Sequence, residues 1–125
     1  MSTLVFLLNY SDFSEKLTVN DFFEMILYNV TVNVEDGIHS DWLKWMKETH
    51  IPDVMNTGMF QENKILKLLS KLPEEEGTTY AVQYFCKSLE DLEHYQQNFA
   101  PKLQEDHLKR YGNKVIAFRT ILEVI

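Results

Sequence analysis

Residues 26 to 34, ILYNVTVNV, alternate strictly: Tyr28, Val30, Val32 and Val34 fall on one side, Asn29, Thr31 and Asn33 on the other. A period of two is that of a strand packed on one face only, so the chain is committed to a sheet with a one-sided core. EDG at 35 to 37 breaks the strand, and residues 38 to 50 change to a helical period. At about 100° per residue, Trp45, Ile38, Trp42, Met46 and Leu43 fill one arc, with Lys44, Lys47, Asp41 and Glu48 on the opposite one. This is a helix that faces a core.

The second half repeats the plan. After Gly58, two β-rich runs flank the turn PEEEG, and the later run sets Tyr80, Val82 and Tyr84 opposite Thr79, Ala81 and Gln83. KILKLLSKL in the first run also suits a helix. Ser88, with Asp91 three residues on, resembles a capping box, and Leu89, Leu92, Tyr95 and Phe99 share one face of the helix that follows. GNK ends that helical region, and VIAFRTILEVI supplies a last strand. The order β-α-β-β-α-β predicts an α+β, ferredoxin-like fold, with a four-stranded antiparallel sheet and its helices on one face. HIPDV in the first half is echoed by FAPKL in the second. Proline lacks an N–H and disfavours the α conformation just before it. Both helices are therefore expected to bend at Pro52 and Pro101, with a short further turn of helix after each.

With 125 residues and 45% hydrophobic content, one domain with a real core is expected. Lys and Arg total 12 against 19 Asp and Glu, a net charge of -7, and no basic stripe suited to nucleic acid appears. The single cysteine excludes an internal disulfide and fits a reducing compartment, so a cytoplasmic location is expected. No segment approaches the roughly 20 apolar residues of a membrane span, and the apolar run Leu4 to Leu8 is too short for a signal peptide. Residues 1–24 do not fit the symmetry of the two halves. Met25 directly precedes the first strand, which makes 25–125 the expected domain and 1–24 an extension, possibly outside the native protein; the alternative is an edge-covering element built from TLVFLLNY.

The runs YNVTVNVEDGIHSDWLKWMKETHIPDVMNTGMF and TYAVQYFCKSLEDLEHYQQNFAPKLQEDHLKRYGNKVIAFRTILEV closely resemble a family of small bacterial proteins, domain of unknown function 4286, common in the Bacteroidetes. The resemblance covers residues 25 to 125. It implies a ferredoxin-like protein similar to the dimeric α+β barrel group, with no established activity. That wider group includes cofactor-independent monooxygenases, haem-degrading enzymes and stress-response proteins, whose functions carry over by fold analogy alone.

A sheet with helices on one face leaves a second face, which carries Asn29, Thr31, Asn33, Ala81, Gln83 and Phe85. That mixed surface suits a polar lumen closed by a second copy, and a homodimer is the expected assembly; simple solvation is the alternative. His39 and His50 are eleven residues apart, about 16 Å along a helix. They cannot chelate one ion together, HExxH and CxxC are missing, and no metal site or cofactor is expected. His50, beside Ile51 and Pro52, lies on the apolar arc, where a neutral imidazole can bond carbonyls freed by a bend or act as a general base. His107 makes a weaker claim of the same kind. Arg119, between Phe118 and Thr120, needs a partner if buried. It is either an internal ion pair or edge residue, or an anion-binding group near Asn29, Asn33 and Gln83. Trp42 and Trp45 are core or dimer anchors, with ligand stacking as the alternative. The catalytic candidates are thus His50 and His107, and the ligand-binding candidates Asn29, Asn33, Gln83, Arg119 and Trp42. Cys86 has no histidine placed by sequence to activate it, so nucleophilic catalysis has little support. The expected function is a homodimeric small-molecule-binding or accessory domain. The alternatives are a monooxygenase- or isomerase-like enzyme and a purely structural interaction module.

Overall fold

The computed structural model describes residues 25–125; the expectation of an extension over 1–24 lies outside them. Strand β1 spans Ile26–Val34, β2 Glu62–Lys67, β3 Thr78–Cys86 and β4 Val115–Glu123. They form one antiparallel sheet in the order β2-β3-β1-β4. The central strand is β1, as its unbroken alternation requires. KILKLLSKL begins as strand β2 and not as a helix. Helix α1 spans His39–Trp45, α2 Ile51–Met55, α3 Leu89–Asn98 and α4 Ala100–Tyr111.

The core lies between the helices and one sheet face. Val32, Val34, Tyr80, Val82 and Tyr84 meet Trp42, Met46, Val54, Leu92 and Tyr95, all buried. Each fully buried apolar side chain of this size is worth roughly 1.5 to 3 kcal/mol against exposure. Trp42 is wholly buried, stacked at 5.2 Å on Tyr80, whose phenol bonds His39. Ser88 caps α3, its Oγ accepting the Asp91 N–H at 3.1 Å, in agreement with the capping pattern.

The two prolines are accommodated differently. In the first half the helix does not stop: a π-helical turn, Met46–His50, joins α1 to α2, and the Ile51 N–H reaches the carbonyl of Met46. Widening the turn by one residue lets Pro52 enter the first turn of α2, where its missing N–H is tolerated. In the second half the helix breaks at Phe99, with φ -122° and ψ -40°, and Pro101 opens α4. The expected short turn after each proline holds for α2, five residues long; α4 has twelve.

The β2–β3 connection is anchored to the end of β1. Asn33 Nδ2 donates to the Glu76 carbonyl at 3.1 Å and to Thr79 Oγ1 at 3.2 Å. Gly77, at φ 73°, lies so close that an added Cβ would stand 2.6 Å from Asn33 Oδ1 and 2.7 Å from the Val34 carbonyl oxygen. Gly77→Ala is therefore expected to cost roughly 1 to 3 kcal/mol. Urea unfolding checks this, and an unchanged midpoint would contradict it.

Candidate functional site

Alternation along β1, β3 and β4 decides which side chains meet the helices. Val30 pairs with Val82 on one side and with Arg119 on the other, so these three share the helix-facing side. Asn29 pairs with Gln83 and Thr120 on the opposite side. Arg119 is thereby separated from Asn29, Asn33 and Gln83, correcting the expectation that they form one anion site.

A cavity of about 250 Å³ lies between the helix-facing side and the helices. Val30, Val32 and Val82 line the sheet side, with Tyr28 and Tyr84 from the same strands. Met46 and His50 come from the π turn, Tyr95 from α3, and Gln104 and His107 from α4. Arg119 lines the cavity from β4, and its exposure makes it the point at which the cavity meets solvent. No carboxylate lines this space.

The two catalytic candidates meet here although 57 residues separate them. The His50 ring stacks on Trp45 at 5.0 Å and sets its edge against His107 at 5.7 Å. These ring contacts replace the carbonyl bonds expected of His50 at a bend. His107 packs on Tyr111 at 5.4 Å and accepts a 3.0 Å hydrogen bond at Nε2 from the indole N–H of Trp42. That bond puts the His107 proton on Nδ1. Trp42 itself does not line the cavity; it holds a residue that does. A second tie between α1 and α4 runs from the Tyr111 hydroxyl to Asp41 at 2.7 Å.

Burial pushes His50 down to about 4, with the Asp106 charge opposing weakly and Arg119 adding to the shift. Burial also pushes His107 to about 4, assisted by His50 and Arg119. Both imidazoles are neutral at pH 7, able to donate and accept hydrogen bonds but weak as proton acceptors. The Tyr28 hydroxyl is raised by burial, while the charge of Arg119 and hydrogen bonds with Arg119 and Gln104 pull it back. Tyr95 is raised by burial and the Tyr28 phenol, against the same guanidinium. One cation thus acts on four groups around the space.

On the far side, Asn29 Nδ2 donates to Thr31 and Thr120 hydroxyls at 3.0 and 3.3 Å, and its Oδ1 accepts from Gln83 Nε2 at 3.2 Å. Asn29 and Gln83 satisfy one another, and Asn33 holds the hairpin. Sequence reasoning missed Tyr28, Tyr95 and Gln104. The placing of Leu103 and His107 on one face was a usable signal for Gln104, which adjoins that face. Among the described residues, no group of three or more His, Cys, Asp or Glu could hold a metal ion. Nor is any described helix long and apolar enough to cross a membrane. Burial raises the Cys86 thiol, in keeping with an unreactive side chain.

Buried neutral imidazoles tie stability to pH. Unfolded, each histidine takes up a proton near 6.5; folded, each resists until about 4. The unfolded chain therefore binds more protons in that window, and stability present above pH 6.5 is lost as the pH falls towards 4. One imidazole contributes at most about 3 kcal/mol. Urea midpoints between pH 7.5 and 4.5 should fall, and fall less in His50→Phe; a flat profile in the native chain would refute neutral burial.

Comparison with solved structures shows the same fold. An ethyl tert-butyl ether D (EthD) family protein from Bacillus halodurans aligns with TM-score 0.63 at 12% identity, over 80% of this chain and 99% of that one. A dimeric ferredoxin-like protein from an uncultured marine organism gives TM-score 0.56 at 11% identity, over 81% and 95%. A Nitrosomonas europaea protein named for the antibiotic biosynthesis monooxygenases gives 0.53 at 10% identity, over 78% and 88%. At such identities the likeness establishes the α+β, ferredoxin-like fold alone. No curated protein matches in sequence. The model of one family, described as Domain of unknown function (DUF4286), matches residues 25–125, and the chain belongs to that family.

Proposed function

We propose that this is a cytoplasmic, homodimeric small-molecule-binding protein whose ligand occupies the cavity between sheet and helices, not a space between two sheets. The observation that carries this reading is the convergence of His50, His107 and Arg119 on a space otherwise lined by valines and tyrosines. A mostly apolar pocket with a few convergent polar groups is the usual form of a small-molecule site. At about 250 Å³ it falls below the range of about 300 to 1,000 Å³ typical of such pockets, so the ligand is small. Native mass spectrometry of protein purified from its own host tests both parts, by the oligomer mass and by any bound molecule. His50→Phe should keep the fold and the oligomer and weaken ligand binding roughly 2- to 10-fold, the worth of one neutral hydrogen bond. Undiminished binding would leave His50 a packing role.

The dimer rests on the side of the sheet turned away from the helices. Ile116, Phe118 and Leu122 of β4 point there at 69, 61 and 48% exposed, with Leu66 of β2 at 47%. Apolar side chains so grouped mark an interaction surface, and the similar protein named as dimeric supports a second copy as the occupant. The Asn29 network lies among them and supplies a polar centre. Phe118→Glu is expected to convert the dimer to monomer in light scattering without loss of helical signal. A native chain that is monomeric at all concentrations would refute the assembly.

A second reading, an enzyme of the monooxygenase or isomerase kind, is favoured by one observation: neutral imidazoles stand beside a guanidinium in a partly dry space. There His50 or His107 would polarise a carbonyl and Arg119 would hold the oxyanion. Neither histidine is suited to act as a strong base, and Asn29 and Asn33 take no part, since both lie on the far side of the sheet.

A further inference from the structure

We propose that the ligand of the helix-side cavity is a small, planar, apolar carboxylate whose charged end is held by Arg119 and Tyr28 and whose body lies against Val30, Val32 and Val82. The inference rests on the cavity being the ligand site and adds the chemical class of what it takes.

The charge balance of the cavity is the first support. The chain carries net -7, yet no Asp or Glu lines this space, and Arg119 is its one cationic side chain. Among the described residues Arg119 forms no salt bridge; the ion pairs run Lys102 to Asp106, Lys109 to Glu105 and Arg110 to Asp41. A guanidinium has five donors in a planar fork, and the Tyr28 phenol takes part of that capacity, which leaves room for an acceptor. With the histidines neutral, nothing else in the cavity duplicates its charge.

The number of charges selects among anions. A single fork matches a carboxylate in shape and charge, whereas a phosphate dianion would leave charge uncompensated without a second cation. Tyr28 and Gln104, both hydrogen-bonded in the Arg119 cluster, add donors of the right kind at the same end. The remaining surface is branched aliphatic and aromatic. Tyr28 and Tyr95 stand 6.0 Å apart at 61°, and His50 and His107 5.7 Å apart at 71°. Edge-to-face walls of this type receive a flat apolar body. The neutral imidazoles are free to accept or donate to a polar substituent there without changing the net charge.

The test uses phenylacetate and its neutral counterpart phenylacetamide, titrated into the full chain, with backbone amide shifts followed by NMR. The expected result is perturbation of Val30 and Val82 on the helix-facing side, with phenylacetate binding at least 10-fold tighter than the amide. Arg119→Gln should abolish that preference, weakening phenylacetate roughly 10- to 100-fold while leaving the amide unchanged. Arg119→Lys keeps the charge, loses the fork and should fall between. If both probes bind the cavity alike, the site stands and the carboxylate class is overturned. If the preference survives in Arg119→Gln, the assignment to Arg119 is overturned. If neither probe moves the cavity amides, both the inference and the cavity reading fall. Should Arg119→Gln fail to fold, the native preference and the Arg119→Lys variant still decide.

Discussion

Everything in this fold depends on β1 being paired on both edges. A strand flanked by β3 and β4 has all its backbone groups satisfied within the sheet, so its side chains can divide cleanly between two environments. Tyr28, Val30, Val32 and Val34 go to the helices, and Asn29, Thr31 and Asn33 to the other side. Both surfaces proposed to have roles, the cavity and the dimer face, are the two sides of this one strand. A one-residue slip in its register would exchange them.

The strands were legible because burial on one side writes a period of two, and β1 falls where its alternation places it. The same rule fails for β4. VIAFRTILE carries apolar residues on both sides, Val115 and Ala117 with Arg119, Ile116 and Phe118 with Leu122, so the side to which Arg119 belongs is fixed only by its pairing with Val30. That pairing joins residues far apart in the chain and leaves no local trace. The error over Arg119, and with it the supposed lumen site, has this single cause.

His50 and His107 were readable as candidates, each from its own neighbourhood, but not as a pair. Their meeting needs two helices packed at one height, set by Trp42 reaching His107 and Tyr111 reaching Asp41. Trp42 shows the same limit from the other side: its aromatic bulk is visible in sequence, while its role as the donor that fixes a histidine tautomer depends on a contact 65 residues away. Tyr28 read correctly as a residue turned to the core. That the core is hollow beside it could not be read, because a void has no residue of its own.

The two helical crossovers answer the same proline with different geometry, and this bears on how the halves relate. A π turn holds one residue more than an α turn, so from Met46 onward the first crossover is out of step with the second by about 100° of rotation. Aligning His50 with Phe99 by counting back from each proline therefore matches residues that share a sequence position but not a direction. Phe99 is the hinge residue of a break and packs on Tyr95, whereas His50 is carried round to the cavity wall. Shortening the π turn by one residue would restore an ordinary helix and take the imidazole with it. The pseudosymmetry of the domain is thus broken at a single inserted residue, and the candidate chemistry sits where it is broken.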